Sequence, residues 1–236
     1  MPRVLENNGY VYRSHGVYQW LAVVGLVLYG LLDIARAFVG IVAMQGAGVF
    51  NGSAPDSEIK DVAKLLYVIT AGPQMLIVIP LIVFFCIWVH RSATNARALG
   101  ASGFEISPGW AVGWYFIPVA CLLMPYRALS EIIRSSRSDS PFDVSTGWWS
   151  LRAGFILPLW WATWIIGQIL VRVSTSFWLD RAGIGSESIA AILMPFAHMV
   201  RLLAAVLCIV LIIRLTNSQR LRAIHAQRFQ SDPTAE

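Results

Sequence analysis
Residues 107–137 read SPGWAVGWYFIPVACLLMPYRALSEIIRSSR, and the threading of this stretch decides the fold. Ser107-Pro108 is a helix cap followed by proline at the first helical position, where a missing N–H costs nothing. The apolar run that follows, 110–124, is about 15 residues long, short of the roughly 20 that a straight helix needs to cross a hydrocarbon core. Pro118 and Pro125 break it. Beyond Pro125, helical spacing puts Ala128, Leu129, Ile132 and Ile133 on one face. Arg127, Glu131 and Arg134 fall on the other, with Arg127 and Glu131 at i,i+4 spacing. That is the pattern of a basic amphipathic helix lying in a membrane interface.

On either side of this stretch the chain reads as membrane-spanning helix. Of its 236 residues 57% are hydrophobic and 13% charged, with a mean hydropathy of +0.63. Soluble domains carry about 25% charged residues, so this composition excludes an ordinary soluble enzyme. No polar segment is long enough to bury a core of its own. We expect an all-α polytopic transmembrane helix bundle, with spans at about 17–43, 65–89, 150–173 and 189–213. Residues 1–16 form a polar N-terminal tail, 17–216 the transmembrane domain, and 217–236 a polar helix end and tail. Loops are expected at 44–56, 138–147 and 174–186, where Gly, Ser, Asn and Pro cluster. Asp56 or Ser57 caps the second helix, Gly100 ends it, and Ser186 caps the last. Pro73 and Pro80 are expected to kink the second span. The first apolar run is too long for a cleaved leader and is interrupted by Asp33 and Arg36.

Two threadings compete. If the central stretch crosses, there are five spans. If it dips in and returns, there are four, with both ends on one side. Arg3, Arg13, Arg91, Arg97, Arg127, Arg134, Arg137, Arg152, Arg214, Arg220, Arg222 and Arg228 then share the cytoplasmic side, against Lys60, Lys64, Arg172 and Arg181 outside. Basic residues collect in cytoplasmic loops, which favours four spans. Trp20, Trp88, Trp148 and Trp149 would mark one interface and Trp178 the other. The excess of Arg over Lys is what a GC-rich bacterial genome produces. The expected location is therefore the bacterial inner membrane, with both termini cytoplasmic. The net charge of +5 reads as topology and not as affinity for nucleic acid.

Ionisable residues inside spans are costly, and each is a functional hypothesis. Asp33 and Arg36 lie one turn apart in the first span, His198 and Arg201 one turn apart in the last. Asp33 and His198 fall at similar depth, so an Asp33–Arg201 or an Asp33–His198 contact is allowed. Such a cluster serves either as a buried ion pair fixing helix register or as part of a polar path. Trp160, Trp161 and Trp164 sit mid-span, with Gln168 nearby, and read as bulky packing, with an aromatic-lined ligand or lipid pocket as the alternative. Cys86, Cys121 and Cys208 lie in apolar runs without metal-ligand spacing and read as free thiols. There is no HExxH, GxSxG, phosphate-loop or dinucleotide motif. We expect no enzyme activity and no cofactor. The expected partners are membrane lipids, with other membrane proteins or self-association as further options.

The central stretch and its approach resemble a bacterial membrane family catalogued as domain of unknown function 4328. The resemblance rests on Asn95, Arg97, Leu99 and Gly100, then Ser107-Pro108, Trp110, Trp114, Phe116, Pro118, Pro125 and Glu131. It extends over roughly residues 60–215 and implies membrane location and fold without a mechanism. No catalytic residue is carried over. The function expected is structural, sensory or in partner assembly; a small transporter or channel is the alternative.

Overall fold
Apolar runs without internal breaks become long helices, and they dominate the chain. The computed structural model describes residues 5–50, 52, 56–137, 150–178 and 186–231. A short hairpin, β1 (Glu6–Asn7) and β2 (Tyr10–Val11), precedes α1 (Gly16–Gly46) and α2 (Ser57–Ala98). The central stretch holds α3 (Pro108–Gly113), two 3-10 turns (Trp114–Phe116 and Ala120–Leu122) and α4 (Met124–Ser135). Then come α5 (Ile156–Trp178) and α6 (Ser186–Ser231). Among the described residues four helices are long and apolar enough to cross a membrane: α1, α2, Ile156–Ser176 of α5 and Ile189–Arg228 of α6. The fold is the expected all-α bundle with a broken central segment.

The chain divides into two compact units, and the cuts fall within helices. The first holds Met1–Val23, Ile82–Pro158 and Val210–Glu236; the second holds Val24–Leu81 and Leu159–Ile209.

In the first unit the central stretch doubles back. Pro108–Phe116 and Ala120–Ser135 meet at 114°. The corner is a γ-turn: Val119 adopts φ 67° and ψ −51°, and the Ala120 N–H donates to the Pro118 carbonyl at 2.8 Å. Positive φ at a β-branched residue is strained by roughly 1–3 kcal/mol. Val119→Gly is therefore expected to stabilise the protein by about 1 kcal/mol. The rise in midpoint of a denaturant titration measures it; a fall would mean that this exposed valine is needed for packing.

Several expectations require correction. Residues 6–11 of the polar N-terminal tail form a hairpin, because Asn8 and Gly9 take positive φ, as its two-residue turn demands. The third apolar helix begins at Ile156 and not near Ser150, since Gly154 sits at φ +82°. Pro158 then falls in the first turn, where no N–H is needed. The same helix runs through Trp178, into the loop expected at 174–186. Ser174 and Ser176 donate back to the Val171 and Val173 carbonyls at 3.1 and 2.9 Å, so their hydroxyls are satisfied within the helix. Trp88 is fully buried and donates to Thr216 Oγ1 at 3.1 Å, instead of standing at a lipid interface. The apolar face of α4 packs inside the protein, burying Ala128, Leu129 and Ile132. Arg127 pairs with Glu105 at 2.7 Å, where i,i+4 spacing had suggested Glu131.

Both long helices with internal proline, α2 and α6, continue through it. Asp56 caps α2, accepting from the Glu58 and Ile59 N–H groups at 2.9 and 3.3 Å. Ser140, Ser145, Asp139, Asp143, Trp148, Trp149 and Arg181 lie outside the described residues, as do the side chains of Trp178 and Ser186.

Candidate functional site: a buried polar network
The second unit is built on small residues that let its helices approach closely. Ala43, Ala47, Ala63, Ala190 and Ala191 form one buried cluster with Met194. A Cβ added at Gly40 would lie 2.7 Å from Pro195 Cδ, and one at Gly167 would lie 2.8 Å from Arg201 Cγ. Gly167 on α5 thus leaves the room that the Arg201 side chain occupies.

Within this packing the four ionisable residues singled out above are all buried: Asp33, Arg36, His198 and Arg201. His198 Nδ1 lies 2.8 Å from Asp33 Oδ1. Arg201 Nε lies 3.6 Å from the same oxygen, an ion pair longer than a hydrogen bond. Both allowed contacts are therefore made, and His198 holds the shorter one. The Arg201 guanidinium also stacks over the Tyr29 ring, 4.7 Å from its centroid. Arg36 does not touch Asp33. It covers the Tyr67 ring at 4.4 Å and donates to the Tyr67 carbonyl at 3.4 Å.

Sequence reasoning missed three members. Gln74 donates to Asp33 Oδ1 at 3.5 Å, and the Tyr67 hydroxyl meets Thr175 Oγ1 at 3.1 Å. Gln74 was legible as a lone polar residue between Pro73 and an apolar run. Tyr67 and Thr175 carried no such signal. The network now touches every long helix: His198 and Arg201 from α6, Asp33 and Arg36 from α1, Gln74 and Tyr67 from α2, and Thr175 from α5. Three buried atoms in it have no hydrogen-bond partner: Asp33 Oδ2, Arg36 Nε and Arg201 Nε. Gln168 plays no part in these bonds. Trp161 stacks on Trp164 at 5.2 Å and meets Trp160 at 5.3 Å with the rings tilted by 60°; Trp160 and Trp161 are buried.

The second set of singled-out residues lies in the first unit, where it joins loops to helix ends. Asn95 accepts from the Arg13 N–H and donates to the Arg13 carbonyl, both at 2.9 Å, so it replaces a strand partner. Arg97 donates to the Ala93 and Ile106 carbonyls at 2.8 and 2.6 Å and stacks on Phe104 at 4.0 Å. Gly100 at φ +92° closes α2 in a double turn, with Ala101 N–H to Ala96 O and Gly100 N–H to Arg97 O. Leu99 is buried with Leu5 and Ala223. Ser107 caps α3, accepting from the Trp110 N–H at 3.4 Å, with Pro108 in the first turn. Trp110 packs on Trp114 at 4.7 Å. Pro118 and Pro125 bracket the corner, and Glu131 accepts from the Ile106 backbone. At the far end of α4, Ser218 and Arg222 of α6 donate to the Ser136 and Ser135 carbonyls.

His15 sits in this unit, buried, with Nε2 3.0 Å from Ser92 Oγ. Burial, and then the Arg91 charge, push its pKa down to about 4. The folded state therefore prefers neutral His15, while the unfolded chain protonates near 6.5. The stability this contributes is complete above pH 6.5 and is lost as pH falls toward 4, by up to about 3 kcal/mol. Thermal melts at pH 7.5 and 4.5 should show the loss, and His15→Gln should flatten it. An equal acid sensitivity in His15→Gln would assign the effect elsewhere.

Among the described residues no group of three His, Cys, Asp or Glu side chains could hold a metal ion. Cys86, Cys121 and Cys208 are free thiols. Residues 51–217 match the family described as Domain of unknown function (DUF4328), and the chain belongs to it. No curated protein and no solved structure matches.

Proposed function
We propose that this member of the DUF4328 family is a non-enzymatic component of the bacterial inner membrane. In this reading its polar network fixes the register of four spans, and the protein acts through structure and partner assembly. One observation carries it: two neighbouring chains of contacts, one from Arg201 through Asp33 to Gln74 and one from Arg36 through Tyr67 to Thr175, together touch all four long helices. In an apolar solvent such groups find partners in one another, which makes them specific glue between helices. The doubled-back central stretch supports four crossings with both termini cytoplasmic. Single cysteines at Ser140 and Ser145, in a chain without its native thiols, should be shielded from an impermeant reagent in intact cells. Labelling from outside would establish five crossings.

A second reading, a small transporter or channel, is favoured by the charge count. Arg36 and Arg201 are two buried guanidiniums against the one buried carboxylate of Asp33, whose Oδ2 has no hydrogen-bond partner. The readings separate in vesicles containing a pH-sensitive dye. The structural reading expects no proton flux above empty vesicles, and reduced abundance of Asp33→Asn and Arg201→Gln. A wild-type flux abolished by Asp33→Asn at unchanged abundance would establish the path instead.

A further inference from the structure
In the first unit the N-terminal hairpin, the end of α2 and the start of α3 enclose a cleft of about 820 Å³. Its chemistry changes sharply along α2. Cys86 and Ile87 line its apolar wall, opposed by Val112 of α3; His90 and Arg91 line its polar rim. These pairs are four residues apart, so His90 stands directly over Cys86, and Arg91 over Ile87, on one helix face. Arg13 completes the rim from the other side, and no acidic side chain lines the cleft.

The rim is held in place. The Arg91 guanidinium donates to the Ser14 carbonyl at 2.8 Å and lies 4.5 Å over the Tyr18 ring. The Arg13 backbone is held on both sides by Asn95, which leaves its exposed side chain at the rim. His90 is also exposed. The cleft opens where the apolar run of α2 gives way to charge, the level at which a span meets lipid headgroups. An apolar wall surmounted by two guanidiniums and an imidazole complements an acyl chain surmounted by a phosphate. A free anion would use only the rim and leave the wall bare.

We propose that this cleft binds one anionic phospholipid, with the phosphate on Arg13, His90 and Arg91 and the first methylenes against Cys86, Ile87 and Val112. The inference rests on the membrane location of the chain and is independent of the role of the Asp33 network.

The test is a lipid titration of the full chain in detergent, read by native mass spectrometry. Dioleoylphosphatidylglycerol is expected to bind at least fivefold more tightly than dioleoylphosphatidylcholine. Arg13→Gln, whose side chain makes no fold contact described above, should weaken it about fivefold, the effect of one basic residue on an anionic lipid. Arg91→Gln should weaken it further. Arg172→Gln, an exposed cation in the second unit, should leave the affinity unchanged. An equal loss in Arg172→Gln, or equal binding of the two lipids, would overturn the proposal in favour of diffuse attraction. Glycerol 3-phosphate and inorganic phosphate should not displace the lipid at equal concentration. Displacement by either would make the site one for a soluble phosphate and overturn the lipid assignment.

Discussion

Replacing Asp33 by asparagine is expected to destabilise the protein by about 3 kcal/mol, at the lower end of the cost of breaking a buried ion pair. Asparagine keeps the shape of the side chain and can still pair with His198 and Gln74, so hydrogen bonding changes little. What goes is the charge. Arg201, buried with its Nε 3.6 Å from Asp33 Oδ1, then has no counter-ion named in the network, and the aromatic faces under Arg201 and Arg36 recover only part of the loss. The measurement is a detergent-denaturation midpoint on purified protein, with abundance in the membrane as its cellular counterpart. Arg201→Gln added to Asp33→Asn should recover part of the stability, because it removes the charge left behind. A double variant that loses the sum of the two single effects would mean that the two residues act separately.

Gly40→Ala is expected to cost roughly 1–3 kcal/mol, the range for overpacking a well-filled interface. The added Cβ would lie 2.7 Å from Pro195 Cδ and 2.9 Å from Pro195 N. Neither atom can swing aside: one belongs to a closed ring and the other to the backbone of α6. The two helices must separate, and the buried alanines beside them lose contact. Gly72→Ala is the contrast. It is also mid-helix, but its Cβ would meet nothing within 4 Å, and alanine is favoured over glycine there by about 0.5–1 kcal/mol. Opposite signs for the two substitutions in one denaturation series support the packing account. Equal losses would trace both to glycine's backbone freedom instead.

The four helices long and apolar enough to cross a membrane were legible because length and hydropathy are properties of the chain alone. The long continuations of α2 and α6 were also legible, since no helix-breaking residue follows either apolar run before Gly100 in the one and the polar tail in the other. The start of α5 was not. Leu151, Ala153 and Phe155 extend the apolar reading around Arg152, and the positive φ of Gly154 separates loop from helix. Asn8-Gly9 was a readable hairpin signal that the polarity of the tail obscured. Depth along two helices allowed Asp33 to meet His198 or Arg201 without choosing between them, whereas Gln74, Tyr67 and Thr175 required the rotation of each helix, which no single-chain pattern specifies. The corner at Val119 was equally hidden. Pro118 and Pro125 marked a break, but a γ-turn at a β-branched residue runs against local propensity and persists only because the surrounding fold holds it.

The account stands or falls on whether the buried network is one cooperative unit. A double-mutant cycle on Asp33→Ala and His198→Ala, each of which removes the contact outright, tests this most directly, since the two side chains meet at 2.8 Å and come from α1 and α6. The network account predicts a coupling of about 1 kcal/mol or more in denaturation free energy. Additivity within about 0.5 kcal/mol, the behaviour of independent sites, would contradict it.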